Sequence, residues 1–222
     1  MLYVLTRAVC LLLFRVLWRP VVVGREHIPA TGPVILASNH LSFIDSIVIP
    51  LAVPRRVVFL AKAEYWEGHS LASLPRRLFF RTFGAVPVQR DQQADAQASL
   101  DLAREVLARG DAFGIYPEGT RSRDGRLYRG RTGVGWLAMA AGAPVVPVGL
   151  VGTDLVQPVG ATMPRVHRVR ISFGPPVRPG AYADLPPGRA RRELTDAVMD
   201  AVAELSGQDR APGYNERVPA SG

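Results

Sequence analysis

A histidine and an aspartate lie five positions apart, directly after a short apolar run. The run is VILAS, residues 34–38, and the pair is His40 and Asp45. An imidazole can take a proton from a hydroxyl group, and a carboxylate can hold the ring in one tautomer and stabilise its charged form. The pair therefore predicts a general base with its orienting group. Alone, so short a pattern also fits a capping aspartate beside a structural histidine.

The residues between the pair predict a bend. Ser42 followed by Asp45 resembles a capping box, with Ser42 at the cap and Asp45 in the first helical turn. A His and an Asp five positions apart do not share a face of one helix, but they can meet if the chain bends at such a cap. The partial positive charge at a helix start favours an ionised aspartate.

A second polar turn, YPEGTRS at residues 116–122, follows another predicted strand. Ligands of open α/β sheets bind at the carboxyl ends of strands. The Arg121 guanidinium suits a phosphate, and Gly119 lets the backbone approach a ligand closely. Glu118 can orient Arg121 or receive a substrate hydroxyl. This turn predicts an anionic substrate, with a solvated charged loop as the alternative.

Apolar periodicity predicts an α/β fold with a mostly parallel central sheet flanked by helices. The predicted strands cover residues 34–38, 57–61, 85–88, 112–116, 145–150 and 166–173. The predicted helices cover residues 42–52, 69–80, 94–109, 132–141 and 188–205. The strand at 166–173 alternates polar and apolar residues, which predicts an edge strand.

The first 19 residues, MLYVLTRAVCLLLFRVLWR, have a wide apolar arc and a stripe of arginines at positions 7, 15 and 19. We interpret residues 1–19 as an amphipathic helix at a membrane interface, with Trp18 at the boundary and its arginines towards anionic lipid. The alternative is a helix that packs only on the protein's own core. Residues 20–205 form the predicted catalytic domain, and the polar tail 206–222 is predicted to be disordered.

Composition narrows the classes of function. The chain of 222 residues carries a net charge of +8, which favours anionic lipids or substrates. Nucleic-acid binding would rest on this charge alone, so we expect no nucleic-acid partner. Its one cysteine, Cys10, excludes an intrachain disulfide, and no His/Cys cluster has zinc spacing, so no metal is expected. The segment 133–138 matches G-x-G-x-x-A but follows a basic loop, which argues against a dinucleotide site.

Four blocks of this sequence, in order, resemble the glycerolipid acyltransferase family, the 1-acylglycerol-3-phosphate (lysophosphatidic acid) acyltransferases in particular. The blocks are Asn39-His40 through Asp45, GAVPVQR at 84–90, YPEGTRS at 116–122 with Tyr in place of Phe, and VVPV at 145–148. Lys62 also stands where the family often has a lysine.

The resemblance implies transfer of a fatty acyl group from an acyl thioester, on coenzyme A or acyl carrier protein, to the free hydroxyl of 1-acylglycerol-3-phosphate. The product is phosphatidic acid, in phospholipid biosynthesis. His40 and Asp45 are then catalytic, and no bound cofactor is expected. The implied substrate-binding residues are Asn39, Lys62, Arg90, Glu118, Gly119, Thr120 and Arg121.

The implied location is the cytoplasmic face of the cell membrane, as a peripheral or monotopic protein. Two alternatives stay open. One keeps the chemistry but changes the acceptor to glycerol-3-phosphate, another lysophospholipid or a lyso-aminolipid. The other is a non-catalytic lipid-binding protein with the same fold.

Overall fold

The computed structural model describes residues 2–62, 86–88, 93–161 and 163–216. The predicted helix at 69–80 lies outside these ranges. The strands are β1 (Val21–Val23), β2 (Val34–Ser38), β3 (Val57–Lys62), β4 (Val86–Val88), β5 (Ala112–Ile115), β6 (Val145–Val151) and β7 (Arg170–Phe173). The helices are α1 (Leu2–Trp18), α2 (Asp45–Ala52), α3 (Gln93–Ala108), α4 (Gly133–Ala141), α5 (Thr153–Val156) and α6 (Pro187–Ser206). Short 3₁₀ helices cover Arg25–His27 and Pro179–Tyr182.

The seven strands form one sheet in the order β1-β7-β6-β2-β5-β3-β4. Every pair of neighbours is parallel except β6 and β7, which are antiparallel. The mostly parallel α/β fold predicted from the sequence is confirmed. The central strand β2 lies between β5 and β6, and its five residues are all buried, as expected for a strand covered on both faces.

Successive side chains of β2 belong alternately to two separate hydrophobic cores. Val34 and Leu36 belong to the core that also contains Phe14 of α1 and Val48 of α2. Ile35 and Ala37 belong to the opposite core, which includes side chains from α3, α4 and α6. The period of two in a strand thus divides the helices between the two faces of the sheet.

Two predicted elements differ from the structure at one end of the sheet. The strand predicted at 166–173 begins only at Arg170, and it is not an edge strand because β1 pairs with it on the outer side. The apolar residues of β1 were not predicted as a strand. Three residues are too short for a periodic pattern, and their pairing with β7 depends on a partner about 150 positions away in sequence.

Helix α1 both packs on the domain and exposes an apolar face. Phe14 and Trp18 are buried in the first core. The Trp18 indole donates a hydrogen bond to the Arg165 carbonyl at 3.1 Å, so the prediction that Trp18 lies at a lipid boundary is wrong. The opposite side of the helix carries exposed Leu12 and Val16. Within the described ranges, no helix combines the length and the apolar character needed to span a bilayer.

The beginning of the tail is ordered, although the sequence predicted disorder from residue 206 onward. α6 ends at Ser206, and residues 207–216 then run back over the domain as a segment that we call the C-terminal strap. Backbone hydrogen bonds join Leu127 to Asp209 and Ala211, and Arg129 to Gly213. Residues 217–222 lie outside the described part of the chain.

The G-x-G-x-x-A segment serves helix packing. Gly135 lies in α4 where it crosses α6, and a methyl group in its place would lie 2.3 Å from the Arg191 backbone oxygen. Glycine thus permits the two helices to approach closely. By contrast, Gly188 in the first turn of α6 has open space around it.

We therefore expect Gly135→Ala to lower the free energy of unfolding by about 1–3 kcal/mol, because a backbone atom cannot move aside easily. The matched control is Gly188→Ala, which should raise the free energy of unfolding by about 0.5–1 kcal/mol through helix propensity. Urea unfolding followed by circular dichroism measures both. Equal stability of Gly135→Ala and the wild type would contradict this account of the packing.

Candidate active site

The two polar turns predicted from the sequence lie side by side. β2 and β5 are parallel neighbours, paired from Val34 with Ala112 to Ala37 with Ile115. Both strands therefore end at the same edge of the sheet, and each leads directly into its turn. The Ser122 N–H donates a hydrogen bond of 2.7 Å to the His40 carbonyl. The base turn (residues 39–45) and the anion turn (residues 116–122) are thus joined through their backbones.

His40 and Asp45 form the hydrogen-bonded pair that the sequence predicted. His40 Nδ1 lies 2.8 Å from Asp45 Oδ2. The same oxygen accepts the backbone N–H groups of Leu41 at 2.7 Å and Ser42 at 2.8 Å. Asp45 is fully buried, whereas the His40 ring is partly exposed. The chain therefore wraps around one carboxylate oxygen and points the imidazole outward.

These contacts determine the tautomer of a neutral His40. Asp45 Oδ2 is the acceptor of two N–H groups, so its third partner, Nδ1, must donate as well. Nε2 then carries the ring's lone pair, which makes it the nitrogen able to accept a proton. The second oxygen, Oδ1, is buried without a hydrogen-bond partner among the described residues.

The predicted capping box forms only in part. The Asp45 side chain does accept the Ser42 N–H. However, α2 begins at Asp45 with Ile44 as its N-cap, and the Ser42 hydroxyl donates instead to the Gln157 carbonyl at 2.8 Å. Ser42 therefore joins the base turn to the loop after α5 by a hydrogen bond and does not cap the helix.

Tyr116 fixes the plane of the His40 ring. The two rings are stacked, with centroids 3.8 Å apart and planes inclined by 8°. The Tyr116 hydroxyl lies 2.9 Å from the Ser46 hydroxyl on α2. Phe59 of β3 contacts Tyr116 at a centroid distance of 5.5 Å. Sequence reasoning gave Tyr116 no such role, because the stack depends on the β2–β5 pairing rather than on any local pattern.

Glu118 lies behind the site rather than in it. It is fully buried, and its two oxygens accept the backbone N–H groups of His40 and Tyr128, each at 3.0 Å. The structure gives Glu118 backbone partners in both turns, and its contact with substrate stays a prediction. Its carboxylate holds the two turns in register. Burial raises the pKa of Glu118 to about 7, opposed by those two backbone hydrogen bonds and reinforced by the nearby Asp45 charge.

Asn39 is also a structural residue. Its side chain is buried, donates to the Leu150 carbonyl at 2.9 Å and accepts the Leu150 N–H at 2.8 Å. A further hydrogen bond of 2.7 Å joins it to the Gln208 side chain in the C-terminal strap. The amide therefore joins β2, β6 and the strap, and contact of Asn39 with substrate stays a prediction.

Gly119, Thr120 and Arg121 of the anion turn are at least partly exposed, and their contact with substrate stays a prediction. Gly119 has φ +80°, a left-handed conformation that favours glycine. A methyl group there would lie 3.1 Å from Arg131 Nε. Thr120 is half-buried and Arg121 is exposed. Asn215 of the strap donates to the Arg121 carbonyl at 3.1 Å, which anchors the turn from outside.

Of the two other predicted substrate-binding cations, Lys62 and Arg90, the structure describes only the backbone of Lys62. Lys62 is the last residue of β3, which pairs in parallel with β5 and therefore ends at the same edge. Arg90 lies outside the described residues, two positions after the end of β4. In the described ranges, no three His, Cys, Asp or Glu side chains form a group suited to a metal ion.

Comparison with known proteins identifies relatives of this chain. A 1-acyl-sn-glycerol-3-phosphate acyltransferase of Bacillus subtilis is 26% identical over 186 residues, which cover 83% of this chain and 86% of that protein. A chloroplastic 1-acyl-sn-glycerol-3-phosphate acyltransferase of Brassica napus is 29% identical over 181 residues, covering 79% of this chain. The chain spans about half the length of this plant relative, 49%.

A solved structure shares the fold. The crystal structure of the 1-acyl-sn-glycerophosphate acyltransferase from Thermotoga maritima matches with a TM-score of 0.70 and 26% sequence identity, covering 91% of this chain and 79% of that one. A family model described as Acyltransferase matches residues 19–151, more than half of the 222-residue sequence. That segment contains both turns of the site, and the chain belongs to the acyltransferase family.

Proposed function

We propose that this protein transfers a fatty acyl group from a thioester to the free hydroxyl of 1-acylglycerol-3-phosphate. The observation that carries the proposal is the placement of the His40–Asp45 pair beside the Arg121 turn at one edge of the sheet. A base and an anion-binding turn side by side suit an acceptor that has both a hydroxyl and a phosphate. The relatives described above are 1-acyl-sn-glycerol-3-phosphate acyltransferases, which supports the same acceptor.

The geometry supports direct transfer with a single base. His40 Nε2 takes the proton from the acceptor hydroxyl as its oxygen attacks the thioester carbonyl. The C–O bond forms, the C–S bond breaks, and the thiolate leaves and regains a proton from the imidazolium. A free thiol has a pKa of about 8.5, so this leaving group departs without a strong acid. Coenzyme A and acyl carrier protein both supply such a thioester.

Asp45 and Tyr116 are positioning residues in this mechanism. The Asp45 carboxylate holds Nδ1–H and stabilises the positive charge that develops on the ring. Stacking on Tyr116 restricts rotation of the ring out of its observed plane. Glu118 maintains the backbone of His40. In this proposal Arg121, Arg90 and Lys62 supply positive charge for the phosphate.

The exposed side of α1 supports a location at the surface of a membrane. Leu12 is 63% exposed and Val16 is 61% exposed. Arg15 and Arg19 are exposed beside them. A helix with these features buries its apolar side in the headgroup region while its arginines contact anionic lipid. A location of this kind would bring the protein to the membrane that holds a lysolipid acceptor.

His40→Ala should lower kcat by about 10²–10⁴-fold, because the acceptor hydroxyl loses its base. Asp45→Asn should lower kcat by a similar factor, since the amide cannot stabilise the imidazolium in the same way. Release of free thiol from oleoyl-CoA in the presence of lysophosphatidic acid measures turnover. His27→Ala, at the opposite edge of the sheet, is the matched control. Undiminished turnover in folded His40→Ala would rule out the mechanism.

The effect of removing Arg121 on turnover should depend on whether the acceptor carries a phosphate. We expect Arg121→Ala and Arg90→Ala to raise KM for lysophosphatidic acid by about 10–100-fold, the usual worth of a hydrogen bond to a charged group. Turnover of monoacylglycerol, which has no phosphate, should change little. Arg123→Ala, an exposed neighbour in the sequence, serves as the control. Equal losses with both acceptors would show that these arginines do not recognise the phosphate.

The raised pKa of Glu118 predicts a specific pH dependence of stability. The folded chain binds the Glu118 proton more tightly than the unfolded chain, so this contribution is fully present below about pH 4.5 and is lost as the pH rises through about 7. Glu118→Gln removes the titrating group. The wild-type free energy of unfolding, minus that of the variant, should therefore decline between these pH values and stay level above them.

Chemical unfolding at a series of pH values measures this difference. Exposed Glu105 of α3 gives the matched variant, Glu105→Gln, for which no such decline is expected. A difference between wild type and Glu118→Gln that is independent of pH would contradict the buried, proton-binding state of Glu118.

A further inference from the structure

The loop after α5 exposes large apolar side chains next to α1. Met163 is 75% exposed and Val166 is 72% exposed. Leu155, which lies in α5 itself, and Val159 are also exposed. We call these four side chains the loop patch. Exposed apolar residues that occur together, rather than singly, indicate a surface that contacts something other than water.

The base of this loop is attached firmly to the end of α1. Trp18 donates from its indole to the Arg165 carbonyl at 3.1 Å and accepts the Val169 N–H at its own carbonyl at 3.1 Å. The Arg165 N–H donates to the Val156 carbonyl at 2.7 Å, which closes the loop at its base. The loop patch therefore stands beside the carboxyl end of α1 as a defined part of the domain.

Two hollows make the helix and the loop one continuous surface. One hollow is lined by Leu17 and Arg19 of the α1 region together with Val166, His167 and Arg168. The other adjoins it, because His167 and Arg168 line both, and it extends to Leu155 and Arg170. The exposed face of α1 thus continues across residues 166–170 to the loop patch.

The charge of this surface is mainly positive. Its exposed arginines are Arg15, Arg19, Arg165, Arg168 and Arg170. Asp154 is the one acidic side chain that lines either hollow in the described part of the chain. Apolar side chains flanked by arginines complement an anionic bilayer, in which acyl chains lie beneath phosphate headgroups.

We propose that the loop patch is a second membrane contact, separate from α1, and that it inserts into the headgroup region of an anionic phospholipid bilayer. Met163 and Val166 enter the acyl boundary, and Arg19, Arg168 and Arg170 contact lipid phosphates. With α1 this gives two points of attachment, which determine the orientation of the domain as well as its attachment.

The position of the loop gives this orientation a consequence for the active site. The Gln157 carbonyl, inside the same loop, accepts the hydroxyl of Ser42, two residues from His40. A membrane contact through the loop patch would bring the base turn close to the bilayer surface. A lysolipid could then present its hydroxyl to His40 with its acyl chain still in the membrane. This consequence, unlike the membrane contact itself, rests on the proposed function.

Vesicle sedimentation with the full chain tests the proposal without any substrate. Met163→Glu with Val166→Glu should weaken binding to phosphatidylcholine vesicles containing phosphatidylglycerol by at least about tenfold, because two apolar side chains no longer enter the bilayer. Arg168→Ala should weaken it by about fivefold, and only when the vesicles are anionic. Ala98→Glu with Ala108→Glu adds the same charge on α3, on the opposite face of the sheet, and should bind like the wild type.

A fluorescence measurement distinguishes a lost membrane contact from misfolding of the variant. Met163→Cys in a Cys10→Ala background, labelled with a polarity-sensitive dye, should show a blue shift of emission on anionic vesicles. The same label at Ala98→Cys should show none. Absence of a shift at position 163, or wild-type binding by the folded double glutamate variant, would overturn the proposal, and either result would favour a protein partner or a bare surface.

An activity arm separates this proposal from the proposed function. The double glutamate variant should lose turnover of long-chain acceptor in vesicles but keep turnover of a short-chain, monomeric lysophosphatidic acid. Loss with both acceptors would indicate a structural role for the loop and would overturn the proposal. A wild type that binds vesicles through Met163 but has no turnover would disprove the acyl transfer alone.

Discussion

One carboxylate oxygen organises the candidate active site. Asp45 Oδ2 receives two backbone N–H groups and the His40 ring, so the bend between β2 and α2 has little freedom. A charged acceptor strengthens each of these hydrogen bonds, and burial removes the competing water. The direction of the imidazole is therefore set by the same interaction that turns the chain. Preorganisation of this kind would avoid rearrangement in the proton transfer proposed for His40.

Three contacts hold the anion turn in place, two of them to this bend and one to the C-terminal strap. Glu118 spans from the His40 N–H to the Tyr128 N–H, Ser122 bonds to the His40 carbonyl, and Asn215 of the C-terminal strap bonds to Arg121. The strap lies outside the segment matched by the family model, which ends at residue 151. The geometry of the site thus depends on a part of the chain that is remote from its motifs in sequence.

The sequence was sufficient where the physical signal was local and strong. Buried apolar runs located β2, β5 and β6 to within about a residue, and the His40–Asp45 pair followed from its spacing. It was insufficient where a polar side chain could face either a ligand or the backbone. Asn39 and Glu118 have residue types suited to substrate, yet each satisfies buried peptide groups that only the folded chain brings near. The strap was missed for a related reason, because its order comes from bonds to distant residues and not from apolar periodicity.

The second oxygen of Asp45 makes the free energy of the site depend on whether the His40 ring is neutral or charged. Oδ1 is buried without a hydrogen-bond donor among the described residues, and such an atom raises the free energy of its surroundings. Once the neighbouring ring becomes a cation, the whole carboxylate gains a compensating charge at close range. The cost is therefore greatest before proton transfer and smallest after it. In the proposed mechanism this difference favours the charged state of His40 that forms when the acceptor hydroxyl loses its proton.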